Sequence, residues 1–188
     1  DKMGIDFLSL SAHKFYGPKG IGAIYIKDPD NIDPFIIGGG QEKGLRAGTE
    51  DVSSIAGMGL AAKLASHLIG KKIKLLEKFE NKFKKGVLKF YSKAIFNGDQ
   101  KNKLPGIVNI SFPNHRSEIL MTKLNRVDIA VSNGSACGAG IIKPSPVLSA
   151  IGVDEKTNLS ALRFSFGITN TEEQIDFLLK QLKDIVKK

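Results

Sequence analysis

The stretch Ser9-Leu-Ser-Ala-His-Lys14-Phe-Tyr-Gly-Pro-Lys-Gly-Ile-Gly22 places a lysine between two apolar runs and decides how the first part of the chain folds. Residues 5–10 and 21–26 flank it, and their apolar and β-branched side chains predict two strands. Between the strands, Gly17-Pro-Lys-Gly20 is typical of a turn, because proline presets φ and glycine accepts positive φ. The sequence therefore predicts a hairpin with Lys14 just beyond its first strand.

Lys14 has two interpretations. An amine held by a rigid element can form a Schiff base with a carbonyl substrate or with pyridoxal phosphate, provided that its surroundings keep part of it uncharged. Most lysines, however, are simply solvated, and composition alone favours that interpretation. A functional Lys14 needs support from other parts of the chain.

The composition describes an ordinary globular protein. The 188 residues suffice for a buried core, and 41% of them are hydrophobic and 25% charged. No apolar run approaches the roughly 20 residues that span a bilayer and no signal segment opens the chain, so we expect a soluble, cytoplasmic protein without a membrane partner. One cysteine and three scattered histidines exclude an internal disulfide and give no metal-ligand spacing. The start at Asp1, without an initiating methionine, leads us to expect a fragment.

The net charge of +9 is concentrated in residues 71–93, which hold nine lysines and two glutamates, hence +7. Apolar residues at helical spacing in the same segment predict an amphipathic helix with a solvated lysine face. The chain has only four arginines, and arginine reads phosphates and bases better than lysine, so a solvated face is favoured over a nucleic-acid site. Docking of an acidic protein on this face stays open.

A glycine-rich segment, Gly38-Gly-Gly-Gln-Glu-Lys-Gly-Leu-Arg-Ala-Gly-Thr49, lacks the Gly-Lys-Ser/Thr of a nucleotide-binding P-loop. It is either a connector or an anion cradle. Thr49 directly precedes a predicted helix, whose free N–H groups attract phosphate, and this position favours the cradle. Thr49 fits equally well as the N-cap of that helix.

The remaining chain alternates helix and strand. Residues 51–91 have a helical pattern with a bend or break at Gly70, and we place the boundary between two domains there, as 1–69 and 70–188. The later predicted elements are strands at 94–96, 106–112, 127–131 and 161–166, a helix over 117–124 with Ser117 as its N-cap, and a final helix from Thr171. The second part is therefore predicted to be a compact α/β domain.

Two more residues stand in informative surroundings. Cys137 lies in Ser132-Asn-Gly-Ser-Ala-Cys-Gly-Ala-Gly140, where small neighbours favour an exposed, nucleophilic thiol over a buried structural one. Arg163 alternates with apolar residues in a predicted strand. It is either paired structurally or holds a carboxylate by a bidentate hydrogen bond, and the sequence favours neither.

Four motifs in this order resemble the cysteine desulfurases: Ser-Ala-His-Lys-Phe-Tyr-Gly-Pro-Lys-Gly, the Gly-Gly-Gly-Gln-Glu to Leu-Arg-Ala-Gly-Thr-Glu loop, Gly-Ser-Ala-Cys, and Leu-Arg-Phe-Ser-Phe-Gly. The resemblance covers the whole chain. It implies a fold-type-I, class-V-aminotransferase-like enzyme that uses pyridoxal 5'-phosphate to take sulfur from L-cysteine and leaves alanine. It also implies that residues 1–69 end the large cofactor-binding domain and that residues 70–188 are the C-terminal α/β small domain.

The resemblance further implies how the cofactor is held. Lys14 would carry it covalently and later move protons on the substrate. Ser11 and His13 would bind its phosphate, and Thr49 would join them from the partner of a homodimer. No metal is implied.

The substrate and the sulfur are assigned in the same way. Arg163 would bind the carboxylate of L-cysteine. Cys137 would attack the substrate sulfur, become a persulfide and pass the sulfur to an acceptor, such as a scaffold protein of iron–sulfur cluster assembly. Asn133 and the segment Ile168-Thr-Asn-Thr171 depart from the residues that are usual in the family, though neither change removes a catalytic group.

The family's amino-terminal half is missing from this sequence. That half supplies a histidine that stacks on the pyridine ring, an aspartate that pairs with its nitrogen, and much of the phosphate site. We therefore expect the isolated chain to be inactive. The alternatives are a selenocysteine lyase or an aminotransferase of the same class, and a non-catalytic basic protein-docking module.

Overall fold

The computed structural model describes residues 3–133 and 143–187. The strands are β1 (Phe7–Ser11), β2 (Gly22–Ile26), β3 (Ile95–Phe96), β4 (Ile107–Ser111) and β5 (Ala161–Ser165). The α-helices are α1 (Val52–Phe90), α2 (Ser117–Asn125), α3 (Pro146–Ala150), α4 (Glu155–Leu159) and α5 (Glu172–Val186). Short 3₁₀ helices cover Ala12–Phe15, Pro29–Asn31 and Gln41–Gly44.

The chain divides into two compact units, Asp1–Ile69 and Gly70–Lys188. Helix α1 contributes to both units, and Gly70 does not interrupt it. The predicted break of the helix at Gly70 is therefore wrong. Glycine costs roughly 1 kcal/mol in a helix interior, which the remaining 38 residues of the 39-residue helix outweigh.

The first unit is built on the predicted hairpin. β1 and β2 pair antiparallel along their whole length, from Phe7 opposite Ile26 to Ser11 opposite Gly22. Nine of their ten residues are exposed, Ile26 being the half-buried one. A two-stranded hairpin offers too little surface to bury its own side chains, so the apolar residues of these two strands remain exposed to solvent.

The first half of α1 is apolar and exposed as well. By length and composition α1 could cross a membrane, a property that the sequence analysis did not predict, and hardly any of the qualifying stretch is buried. Its exposed large apolar side chains are Val52, Ile55, Leu60, Leu64, Leu68 and Ile69. Exposed apolar surface of this kind is typical of a contact surface for protein or lipid.

The second unit has a three-stranded antiparallel sheet in the order β3-β4-β5. Ile110 of β4 lies opposite Phe96 of β3 and Leu162 of β5. Phe83 of α1 is fully buried, with its ring centre 4.7 Å from that of Phe164 and 5.5 Å from that of Phe166. The other fully buried large apolar side chains among the described residues are Phe79, Val87, Val108, Ile110, Phe112, Leu120, Leu124, Leu162, Ile175 and Leu182. This core joins α1, α2 and α5 to the sheet.

The predicted strand over 127–131 is wrong. The chain turns there, because Asp128 adopts a φ of 59° and the N–H groups on either side of it donate to the carbonyl of Leu124. These bonds close the end of α2. Just beyond this segment, Ser132 reaches the sheet through an isolated bridge to Arg163.

The helix ends follow local hydrogen bonding. Thr171 caps α5 as predicted, whereas α2 has Arg116 at its N-cap, so Ser117 is its first residue and not its cap. Helices α3 and α4 were not predicted; they are only five residues long and are capped by Ser145 and Asp154. Five residues are too few to show a helical period.

Glu80 is a nearly buried carboxylate on the inner side of α1. It accepts hydrogen bonds from Lys84 Nζ at 2.6 Å, Lys103 Nζ at 2.7 Å and the Gly106 N–H at 3.0 Å. Burial by itself raises the pKa of Glu80, but the bonds from Lys103, Lys84 and Gly106 together outweigh it and lower that pKa. The ionised carboxylate therefore ties the loop before β4 to α1.

We expect Glu80→Gln to destabilise the chain by about 2 kcal/mol, because charge-assisted hydrogen bonds are lost in a buried place. Since the folded pKa is lowered, the contribution of Glu80 is complete at neutral pH and is lost as the pH falls below about 4. Urea unfolding at pH 7 and pH 3 measures both effects, and the variant should differ from the parent far less at pH 3. Glu77→Gln, at an exposed position on the same helix, is the control and should change little. Equal losses in the two variants would contradict the assignment.

Candidate active site

The turn after β1 is folded tightly over one small residue. Ala12 is fully buried, and its N–H donates to Ile21 while its carbonyl accepts from Gly17 at 2.9 Å. A Cβ at Gly17 would come within 2.9 Å of the Ala12 Cβ, so the return of the chain requires glycine there. Tyr16 adopts a φ of 70° and ends the 3₁₀ helix. The backbone around Lys14 is thus fixed from both sides.

This turn presents three polar side chains to solvent. Ser11 ends β1, and His13 and Lys14 lie in the 3₁₀ helix; all three are exposed. None of them forms an ion pair or a side-chain hydrogen bond to another residue within the described parts of the chain. They offer a hydroxyl, an imidazole and a primary amine within four positions, which fits a phosphate-bearing aldehyde such as pyridoxal phosphate.

Thr49 is exposed in the loop before α1, in the same unit as Lys14. It is not the N-cap of α1. That role belongs to Asp51, whose carboxylate accepts from the Ser54 N–H at 3.1 Å and from the Ser53 hydroxyl at 2.8 Å. The hydrogen bonds from Ser54 and Ser53 lower the pKa of Asp51. The carboxylate of Asp51 therefore occupies the N-terminus of α1, where phosphate binding was predicted. The Thr49 hydroxyl remains available to a ligand.

Arg163 lies in the middle of β5, opposite Asn109 of β4. Its backbone exchanges two hydrogen bonds with Ser132, at 2.6 and 3.2 Å. Its half-buried guanidinium has no carboxylate partner among residues 3–133 and 143–187. Of the two interpretations left open by the sequence, this arrangement favours binding of a ligand carboxylate over structural pairing.

Cys137 lies outside the described residues. The backbone bridge between Ser132 and Arg163 connects β5 to the chain five positions before Cys137. Sequence reasoning missed this bridge, because it joins residues 31 positions apart and has no local signature. Lys14 belongs to the first unit and Arg163 to the second.

Comparison with known proteins identifies the family. The family described as aminotransferase class-V matches residues 1–178. The chain belongs to the class-V aminotransferase family. Pyridoxal phosphate is the expected cofactor of cysteine desulfurases in this class-V family, and the turn carries an exposed amine, a hydroxyl and an imidazole that would suit it.

Relatives of this class-V chain match it from end to end. The protein named cysteine desulfurase IscS from Dictyoglomus turgidum is 42% identical over 188 residues, which are 100% of this chain and 48% of that protein. The mitochondrial cysteine desulfurase of Saccharomyces cerevisiae is 41% identical and is covered to 37% of its length. The chain thus spans about half the length, or less, of these curated relatives.

A solved structure described as a NifS-like protein superimposes with a TM-score of 0.88 at 36% identity, covering 99% of this chain and 47% of that one. This likeness confirms the fold class predicted from the four motifs. The end-to-end matches to proteins named cysteine desulfurase confirm the resemblance to that family.

Proposed function

We propose that this chain is the C-terminal half of a cysteine desulfurase, an enzyme that removes sulfur from L-cysteine and leaves L-alanine. The observation that carries the proposal is the exposed, unpaired amine of Lys14 on a rigid turn, in a chain that matches cysteine desulfurases from end to end. The exposed apolar residues of β1, β2 and the first half of α1 support the other part of the proposal, since they provide a surface for the remaining half to cover.

In this proposal three residues of the turn and Thr49 bind the cofactor. Lys14 holds the cofactor covalently and moves a proton on the substrate; Ser11 and His13 bind the phosphate from the same turn. Thr49 binds the phosphate of the cofactor that is held by the second subunit of a homodimer. When bound, pyridoxal phosphate supplies the electron sink that stabilises negative charge on the substrate.

The substrate tasks fall to Arg163 and Cys137. The forked guanidinium of Arg163 binds the carboxylate of L-cysteine and so orients its sulfur. Cys137 accepts the sulfur as a persulfide and delivers it to an acceptor protein. We propose that iron–sulfur cluster assembly in the cytoplasm is the process served.

Alanine production from L-cysteine tests the proposal. With pyridoxal phosphate present, the complete protein that contains this chain should form alanine, Lys14→Ala should reduce the rate by at least 1,000-fold, and Lys19→Ala, at an exposed lysine of the same hairpin, should leave it within twofold. The isolated chain should form almost none. Undiminished activity of the Lys14 variant would refute the assigned role, and robust activity of the isolated chain would refute the assignment as half an enzyme.

A further inference from the structure

The outer face of α1 in the second unit carries a row of cations. Lys71, Lys74, Lys78, Lys85 and Lys89 are all exposed and, with Asn81, recur every three or four residues. Residues at this spacing lie on one side of a helix. We name these five residues the lysine stripe. From Lys71 to Lys89 it runs for about 27 Å at the helical rise per residue.

The orientation of the stripe is fixed by the core. Leu76, Phe79, Phe83 and Val87 are buried on the opposite side of the same helix, so α1 cannot rotate the lysines inward without exposing them. The stripe is therefore a permanent feature of the folded second unit.

Neutralising contacts lie mainly beside the stripe. Lys82 pairs with Asp176 at 2.8 Å, Lys84 with Glu80, and Lys78 with Glu172. By contrast Lys74, Lys85 and Lys89 form no ion pair with any residue that the structure describes.

Repulsion along the stripe is only partly relieved by the residues that the structure describes, since Lys78 is the one stripe lysine that pairs with a carboxylate among them, that of Glu172. Lys71 and Lys74, Lys74 and Lys78, and Lys85 and Lys89 are like-charge neighbours, which destabilise a helix. A partner carrying carboxylates at the same spacing would relieve all three repulsions at once, and that complementarity is strongest for a second helix laid along the stripe.

Two observations favour a protein over a nucleic acid as the partner. Residues 71–90 contain no arginine, and none of their aromatic side chains, Phe79, Phe83 and Phe90, is exposed beside the stripe. Arginine and exposed aromatic rings are the side chains that read phosphates and bases best. Leu88, 45% exposed, lies three residues after Lys85, so the two are neighbours on the helix surface, and Leu88 offers an apolar contact that suits a protein helix and not a phosphate backbone.

We propose that the lysine stripe is a docking surface for an acidic protein, engaged through a helix with Glu or Asp at every third or fourth position. The surface lies away from the residues of the candidate active site along the sequence, and this inference does not depend on the reaction that the chain catalyses. It assigns a role to the +7 segment that the family membership leaves unexplained.

The experiment uses the 188-residue chain and a fluorescent 21-residue helical peptide with glutamates at positions i, i+3, i+4 and i+7 and leucines on the adjoining side. Anisotropy titrations at 0.15 M salt compare the parent with Lys74→Glu/Lys85→Glu/Lys89→Glu. The control, Lys123→Glu/Lys156→Glu/Lys180→Glu, changes the net charge equally at exposed lysines outside the stripe. The stripe variant should bind at least 10-fold more weakly and the control within threefold of the parent.

A second variant, Lys74→Gln/Lys85→Gln/Lys89→Gln, guards against unfolding, because it removes repulsion and adds none. It should keep the helical circular dichroism of the parent and still lose at least threefold in affinity. Equal losses in stripe and control variants, or no peptide binding by the parent, would overturn the proposal. Stripe-dependent binding of a 21-nucleotide single-stranded RNA that is tighter than peptide binding would overturn the choice of a protein partner.

Discussion

Replacing Cys137 by alanine should abolish persulfide formation, with no persulfide detectable by mass spectrometry after incubation of the complete protein with L-cysteine. In the proposed reaction the Cys137 thiolate attacks the sulfur of bound cysteine and the bond between Cβ and sulfur breaks. The electron pair remains with Cβ, where a proton completes the methyl group of alanine. The sulfur stays on Cys137. Because Cys137 is the only cysteine in the 188 residues, no other thiol of this chain replaces it in the variant.

The steps before sulfur transfer should survive this change. The absorbance change caused by adding L-cysteine should keep its amplitude, because Lys14, Ser11 and His13 are intact. Ser135→Ala, two positions earlier in the same segment, is the control and should retain sulfur transfer. Persulfide on the Cys137→Ala variant at parental levels would show that another residue carries the sulfur.

The second large effect concerns stability. Phe83→Ala should lower the free energy of unfolding by about 4 kcal/mol, because truncating a buried phenylalanine loses transfer free energy and leaves a cavity. Phe83 has no exposed surface and contacts the rings of Phe164 and Phe166. A loss of this size approaches the whole stability of many domains.

Urea unfolding followed by circular dichroism measures this loss. Phe35→Ala makes the same chemical change at a side chain that is 97% exposed, so its free energy of unfolding should stay within about 0.5 kcal/mol of the parent value. Similar midpoints for the Phe83 and Phe35 variants would mean that the core of the second unit lies elsewhere.

Local sequence patterns were sufficient for the hairpin and for most elements. The turn residues at 17–20 between two apolar runs predicted the antiparallel pairing of β1 with β2. The threonine that caps α5 marked where that helix begins. These features depend on interactions among residues close in sequence, which propensity and period describe well.

The strand predicted over 127–131 failed because its pattern is ambiguous. Val127, Ile129 and Val131 alternate as in a strand, yet the end of α2 needs partners for its free carbonyls, and Asp128 tolerates the positive φ that provides them. Thr49 alone was predicted as a possible cap of α1, with Asp51 at the start of the helical pattern. Both residue types cap helices, and only the fold shows where the first turn begins.

The residues of the candidate site also divide into those whose placement follows from local sequence and those whose placement depends on distant contacts. Lys14, Ser11 and His13 are close in sequence, and their placement on one exposed turn follows from the hairpin. The surroundings of Arg163 could not be predicted from local sequence, since its strand position and its backbone bridge to Ser132 involve distant residues. Its lack of an ion pair within the described residues is likewise a tertiary fact that no motif encodes.

Borohydride reduction in the presence of pyridoxal phosphate tests the central claim most directly. The complete protein is reduced, digested and mapped by mass spectrometry, with the Lys14→Ala and Lys19→Ala variants treated in parallel. The account predicts one pyridoxyl adduct, on Lys14, that persists in the Lys19 variant and disappears in the Lys14 variant. Adducts spread over the surface lysines, with no preference for Lys14, would contradict it.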